Sequence, residues 1–137
     1  MNTKLLEKYA NKKTNGTGST ADEAGGEEAD DYSVFGWLRG IRDKALMLEL
    51  RKKDGSVKAV GYAWLHEVEF DPTEGITLHV IGQTIRIIGR NLNSEYRPNV
   101  TLLSGITRQR VPFIQEADQA TLMNAKESDT VIEKIEW

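Results

Sequence analysis

The alternation of apolar and polar side chains in residues 46–51 is the feature that most constrains this fold. Leucines at positions 46, 48 and 50 alternate with Met47, Glu49 and Arg51, which is the two-residue period of a half-buried strand. Asp54-Gly55 follows, a dipeptide that tolerates the positive backbone dihedrals of a type I′ turn. The sequence therefore predicts an antiparallel hairpin whose second strand runs through residues 57–64.

Further apolar runs continue with the same period. Val68 and Phe70 precede residues 71–75, DPTEG, which have the composition of a turn. Residues 76, 78 and 80 are again apolar, and Gly82-Gln83 separates them from a last alternation around Ile85 and Ile87. Four or five strands joined by such short turns predict a mainly β fold, an antiparallel meander curled into a small, partly open barrel.

The period changes after Gly89. Apolar residues at positions 92, 96, 100, 103 and 106 are separated by three or four residues, which is typical of one face of a helix. We predict one α-helix in the C-terminal half, starting within residues 94–97, near Pro98, and ending near Arg110. Residues 116–129 are predicted to be a loop. Residues 131–137 are predicted to be a final strand that pairs with a sheet edge.

Residues 1–31 differ in composition from the rest of the chain. Leu5, Leu6 and Tyr9 are their only large apolar side chains after Met1, and residues 15–20, NGTGST, have linker composition. Such a segment cannot bury enough surface to offset its ordering entropy. We therefore predict a disordered acidic arm over residues 1–31 and a single β-rich domain over residues 32–137.

The formal net charge of -3 is unevenly distributed. Residues 1–31 carry four basic and seven acidic side chains, hence -3; residues 32–110 carry twelve and eight, hence +4; residues 111–137 carry two and six, hence -4. A basic middle between acidic ends permits a nucleic-acid-binding face. It equally permits a protein-binding adaptor whose acidic arm engages a basic partner.

The residue inventory excludes several classes of enzyme. Cysteine is absent, and His66 and His79 are the only histidines, so cysteine catalysis is excluded and a serine-histidine-aspartate arrangement has little material. No phosphate loop, dinucleotide fingerprint, zincin helix or calcium loop is present. The sequence favours a non-enzymatic protein without a cofactor. With neither a signal peptide nor a long apolar run, we expect a cytoplasmic location without membrane contact.

Two polar clusters are candidate sites. His66, Glu67, Glu69 and Asp71 lie close together, and the three carboxylates share one face of an extended strand, where they could hold a hard metal ion for a metal-dependent enzyme. The alternative is a solvated strand face with Val68 and Phe70 pointing inward.

The second cluster is basic. It combines cations for phosphates with an aromatic ring for bases, as single-stranded RNA binding requires, and consists of Arg51, Lys52, Lys53, Lys58, Tyr62, Arg86 and Arg90. The alternative is that these lysines and arginines keep strand edges and turns soluble. The sequence leaves open whether Trp37 and Trp64 are core or contact residues.

Residues 44–92 resemble the Sm-like small β-barrels. The similarity lies in residues 46–57, LMLELRKKDGSV, and in residues 87–91, IIGRN. It implies a barrel that self-associates through strand edges into an oligomer and binds RNA. The Asp and Asn with which that family grips RNA have no counterpart in residues 65–70, LHEVEF, so this site is not carried over. The family also places its helix before the barrel.

Residues 36–43, 61–65 and 89–92 are also similar to an uncharacterised family of bacterial proteins, a resemblance that implies no activity. Three hypotheses follow from the sequence. The first is a binding or scaffold module, which the Sm-like resemblance implies is oligomeric and RNA-binding. The second is a metal-dependent enzyme, and the third is an adaptor for an unknown protein partner.

Overall fold

A computed structural model describes residues 28–137 of the chain. Along these residues the elements are β1 Ala29–Asp31, β2 Gly36–Leu38, β3 Met47–Arg51, β4 Val57–Gly61, β5 Leu65–Asp71, β6 Gly75–Val80, β7 Gln83–Arg90, β8 Glu95–Arg97, β9 Val100–Thr101, α1 Leu102–Thr107, β10 Phe113–Gln115, α2 Gln119–Asn124 and β11 Val131–Glu136. A 3-10 turn, Tyr62–Trp64, connects β4 to β5. The predicted mainly β fold is confirmed. Of the predicted arm, residues 1–27 lie outside the described residues. Its last four residues, 28–31, are described, and they contain β1.

The described residues divide into two compact units. One consists of residues 28–29 and 39–43, in which the Arg39 N–H donates to the Glu28 carbonyl at 3.0 Å. The other consists of residues 30–38 and 44–137 and contains the two larger sheets. No helix within residues 28–137 is long and apolar enough to cross a membrane.

The first larger sheet has the strand order β10-β3-β4. β3 and β4 are antiparallel, with Glu49 opposite Ala59, which confirms the predicted hairpin, although its second strand ends at Gly61 and not at residue 64. Of the turn dipeptide, Gly55 alone has a positive φ, 95°, so the turn is not of type I′. β10 joins β3 in parallel, a pairing that an antiparallel meander does not include, because it depends on a segment far along the chain.

The second larger sheet has the order β11-β7-β6-β5 and is antiparallel throughout. The predicted final strand therefore does pair with an edge. Gly75, at φ 101°, is required in the β5–β6 turn, because a Cβ there would collide with the carbonyl oxygen of Ile87. The inward side chains of this sheet are among the fully buried ones, including Ile76, Leu78 and Ile85. Neither of these sheets closes into a barrel.

The predicted helix over residues 94–110 is wrong in extent. Its first part is the β8–β9 hairpin, in which Asn99 adopts φ 66° directly after Pro98. Pro98 lacks an N–H and Asn99 is left-handed, so the backbone turns here. The helix itself is α1, which begins after Thr101, whose hydroxyl accepts a hydrogen bond from the Ser104 N–H at 3.2 Å.

Two other local expectations are corrected. The predicted loop over residues 116–129 contains α2, capped by Asp118, whose carboxylate accepts from the Thr121 N–H at 2.8 Å. None of the residues of α2 is buried, so its sequence lacks the apolar stripe at helical spacing from which a helix is predicted. Leu46 precedes β3 and is 78% exposed, whereas Leu48 and Leu50 are fully buried as predicted.

Candidate nucleic-acid interface

Two of the predicted lysines converge on an aromatic ring that the sequence did not associate with them. The Nζ atoms of Lys52 and Lys58 lie 4.1 Å and 5.8 Å from the centre of the Trp137 ring. Trp137 follows β11 and keeps 40% of its surface exposed. Lys53, in the hairpin turn beside Lys52, is also exposed. We call Lys52, Lys53, Lys58 and Trp137 the Trp137 surface.

A buried carboxylate connects the hairpin to β11 and so assembles this surface. Glu116 is only 6% exposed, and its Oε1 accepts the Lys53 N–H at 2.9 Å. Its Oε2 accepts the Ile135 N–H at 2.7 Å. Hydrogen bonds to an ionised acceptor are roughly twice as strong as neutral ones. Glu116 therefore fixes the turn that carries Lys52 and Lys53 against the strand that ends beside Trp137.

Arg51 belongs to the other face of the hairpin. It lies opposite Val57, whereas Lys58 lies opposite Leu50, and neighbouring positions on a strand point to opposite faces. Its guanidinium stacks 4.0 Å from the Phe113 ring centre and donates to the Glu49 carboxylate at 2.9 Å and 3.0 Å. The structure does not bring Arg51 to the Trp137 surface.

Tyr62 is not available to stack on a base. Its side chain is buried, and its hydroxyl donates to the Val111 carbonyl at 2.6 Å. Burial raises the pKa of this phenol well above its usual value of 10. Of the two tryptophans left open by the sequence, Trp64 is 58% exposed, and Trp37 is half-buried with the Arg110 guanidinium 5.7 Å from its ring centre.

The two predicted arginines of β7 are each paired with a carboxylate. Arg86 Nη2 lies 3.4 Å from the Glu74 carboxylate, and Arg90 Nε lies 3.2 Å from that of Glu133. Exposed pairs of this kind contribute little stability. They do reduce the positive potential that these two arginines offer to a phosphate.

The predicted metal residues do not come together as a metal site. Glu69 contacts His79 at 2.5 Å, while the Asp71 carboxylate accepts hydrogen bonds from Thr73 at 2.6 Å and 2.8 Å. These bonds lower the pKa of Asp71 below its usual value. His66 and Glu67 are exposed on β5. No group of three or more His, Asp or Glu side chains that could hold a metal ion occurs within residues 28–137.

A cleft of about 1130 Å³ adjoins the Trp137 surface, with Lys53 at its border. Its aromatic wall is formed by Tyr32 and Tyr96, whose rings stack with centres 4.8 Å apart. The Arg97 guanidinium lies 5.2 Å from the Tyr32 ring centre, and Tyr96 is 39% exposed. The sequence offered no local sign of this wall, because its two tyrosines come from separate elements.

The cleft also contains acidic side chains, and each of them is hydrogen-bonded to backbone. Each carboxylate accepts a hydrogen bond from one or two backbone N–H groups. The pairs are Glu95 with Asn99, Glu116 with Lys53 and Ile135, Asp118 with Thr121, and Asp129 with Lys126. The partial positive charges of these N–H groups offset part of the negative charge that the carboxylates bring to the cleft.

Comparison with known proteins gives no further identification: no protein-family model, no curated protein and no solved structure matches the chain.

Proposed function

We propose that this chain is a non-enzymatic module that binds single-stranded RNA on the Trp137 surface. The observation that supports the proposal is the position of two lysine ammonium groups beside a tryptophan ring that is 40% exposed. Single-stranded RNA requires both components, because its phosphates pair with cations and its unstacked bases stack on aromatic rings. Lysine side chains are long and flexible, so Lys52 can leave the ring for a phosphate when a base takes its place.

The cleft beside Lys53 extends the proposed path. A strand that stacks a base on Trp137 and passes Lys53 enters the cleft, where Tyr96 offers a second stacking surface and Arg97 a second cation. Two aromatic rings, Trp137 and Tyr96, with Lys53 at the border of the cleft supply the stacking surfaces and the cation that a nucleic-acid strand uses.

The two alternatives from the sequence receive less support. A metal-dependent enzyme built on His66, Glu67, Glu69 and Asp71 needs ligands that converge, and these side chains do not. An adaptor acting through the acidic arm depends on residues outside those described, and it remains a prediction.

Fluorescence anisotropy with a labelled single-stranded RNA of about 12 nucleotides tests the proposal. The slope of log affinity against log salt, measured between roughly 50 and 200 mM salt, should fall by about 1.4 in the variant K52A/K58A, because each lysine accounts for about 0.7 with single strands. The matched control K44A/R108A removes two exposed cations that lie outside the Trp137 surface and the cleft, and its slope should equal that of the wild type.

Replacing the ring separates stacking from charge. Trp137→Ala should weaken RNA binding by roughly 5- to 150-fold, the equivalent of about 1–3 kcal/mol for one stacked base. Trp137→Phe should retain most of the affinity. Absence of RNA binding by the wild-type protein at low salt, or unchanged binding by both K52A/K58A and Trp137→Ala, would contradict the proposed interface.

A further inference from the structure

The outer strand of the three-stranded sheet, β4, exposes backbone groups along one side. Two backbone hydrogen bonds fix the pattern of the β3–β4 ladder: Lys52 N–H to Ser56 O at 2.8 Å and Tyr62 N–H to Leu46 O at 3.0 Å. Bonded and non-bonded pairs alternate along an antiparallel ladder. The even-numbered residues of β4 therefore bond to β3, and the peptide groups of Val57 and Ala59 point away from it. No strand within residues 28–137 pairs with this side of β4.

Exposed apolar side chains accompany this edge. Val57 at one end of β4 is 55% exposed, and Trp64 just beyond the other end is 58% exposed. The Trp64 ring covers Gly61, since a Cβ on Gly61 would lie 2.8 Å from its Cδ1 atom. Met47, opposite Gly61 on β3, is 47% exposed. The edge thus carries an aromatic ring above a glycine at one end and a bare valine at the other.

A second copy of the chain fits this edge in one register. Antiparallel pairing of β4 with itself about Ala59 places Val57 opposite Gly61 of the second copy, and Lys58 opposite its Val60. Val57 then packs against the Trp64 ring that covers that glycine, and the symmetry repeats this contact on the other side. No like charges face each other directly.

One of the two outer strands of the four-stranded sheet, β5, is a poor partner for a second copy. Glu67, Glu69 and Asp71 are all exposed on it, and pairing β5 with itself would bring carboxylates of the two copies together. Like charges directly opposite each other destabilise a strand pair, and acidic side chains on an outer strand are a known protection against unwanted pairing. The charges therefore favour β4 over β5.

We propose that two copies of this chain form a twofold-symmetric dimer by antiparallel pairing of their β4 strands about Ala59. The dimer extends each three-stranded sheet into one of six strands and covers Val57 and Trp64 of both copies. This inference goes beyond the proposed function, because the dimer contacts do not involve RNA. Lys58 belongs to both surfaces, so the test below changes Ala59, which lies outside the Trp137 surface.

Charges introduced at the twofold axis provide the test. Ala59 is exposed and lies at the centre of the proposed pairing, so Ala59→Lys places two lysines opposite each other and Ala59→Glu places two glutamates. Sedimentation velocity on nuclease-treated protein should show a wild-type dimer. Each variant alone should have its dimer dissociation constant raised at least about tenfold. An equimolar mixture of the two variants should form dimers again, because lysine then faces glutamate.

Matched controls use Thr84, which is exposed on the inner strand β7 away from this edge. Thr84→Lys and Thr84→Glu should leave the dimer unchanged, and circular dichroism should show all four variants folded. A wild-type monomer at about 100 μM, well above the micromolar range of weak specific complexes, would overturn the dimer. Dimers that persist in both Ala59 variants, or a mixture that stays monomeric, would overturn the register. RNA binding is measured separately, so loss of one proposal leaves the other standing.

Discussion

Removal of the Glu116 carboxylate should release the hairpin turn from β11. In Glu116→Ala the Ile135 N–H loses its acceptor at 2.7 Å and the Lys53 N–H loses its acceptor at 2.9 Å. The first N–H is buried, so solvent reaches it poorly once the carboxylate is removed, whereas the second is half-buried and is more easily hydrated. The two losses therefore differ in size.

The magnitude follows from this difference. Leaving the buried Ile135 N–H unsatisfied costs about 1–3 kcal/mol, and the more accessible Lys53 bond contributes about 0.5–1.5 kcal/mol. Part of this is regained because the variant no longer buries a charge. We expect Glu116→Ala to lower the free energy of unfolding by about 2–3 kcal/mol. Glu116→Gln keeps one acceptor oxygen and should lose roughly half as much.

Urea unfolding followed by tryptophan fluorescence measures this loss. With a slope of about 1–3 kcal/mol per molar urea, the midpoint of Glu116→Ala should fall by roughly 0.7–3 M at an unchanged slope. Glu127→Ala is the matched control, because its side chain is exposed and its loss should change stability by less than about 0.5 kcal/mol. A loss below about 1 kcal/mol in Glu116→Ala would refute the assignment of Glu116 as the group that holds the turn.

Two further changes test buried and exposed polar groups. Tyr62→Phe should lower the free energy of unfolding by about 0.5–1.5 kcal/mol through loss of the bond to Val111. Burial raises the pKa of Tyr62. The stabilising contribution of Tyr62 is therefore complete below the unfolded pKa of 10 and is lost as pH rises through the higher folded pKa. Urea midpoints above pH 10 should fall more steeply with pH in the wild type than in Tyr62→Phe. The pKa of Asp71 is lowered from 3.8 by hydrogen bonds from Thr73, so its contribution is present above pH 3.8 and lost as pH falls through the lower folded value. Asp71→Asn should be less stable than the wild type near neutral pH and should converge with it in acid, and parallel midpoints of the two proteins down to pH 2 would show that these bonds do not stabilise the turn.

The strands that the sequence predicted correctly are those whose burial follows a local rule. Leu48 and Leu50 alternate with polar residues, and Ile76 and Leu78 do so again, because one face of each strand packs inward. The predicted helix over residues 94–110 was right only for α1, because apolar residues spaced by three or four also occur in the tight hairpin that precedes it. There the turn at Asn99 and the irregular pairing of Val100 and Thr101 replace the helical repeat.

The candidate site was only partly predictable. Lys52, Lys53 and Lys58 were found because the hairpin that carries them is a local structure, but Trp137 was expected only as the end of a strand. Its contact with Lys52 depends on the pairing of β11 with β7 and on the hydrogen bonds of Glu116 to the hairpin turn and to β11. Neither interaction can be predicted from the local pattern of residues. Tyr62 was expected at the surface as part of a strand, but it lies in the 3-10 turn after β4, where its hydroxyl reaches Val111, a residue far along the chain.

The sequence by itself therefore determined the β-rich class, the β3–β4 hairpin, most strands of the four-stranded sheet and the charges on β5, since each depends on residue period or turn chemistry within a few positions. The tertiary structure decided the parallel addition of β10, the burial of Tyr62 and Glu116, and the meeting of two lysines with Trp137. These features join segments that are distant along the chain, so no local pattern predicts them. For Tyr62 and Glu116 the physical reason is that buried polar groups are hydrogen-bonded, and their partners come from other parts of the fold.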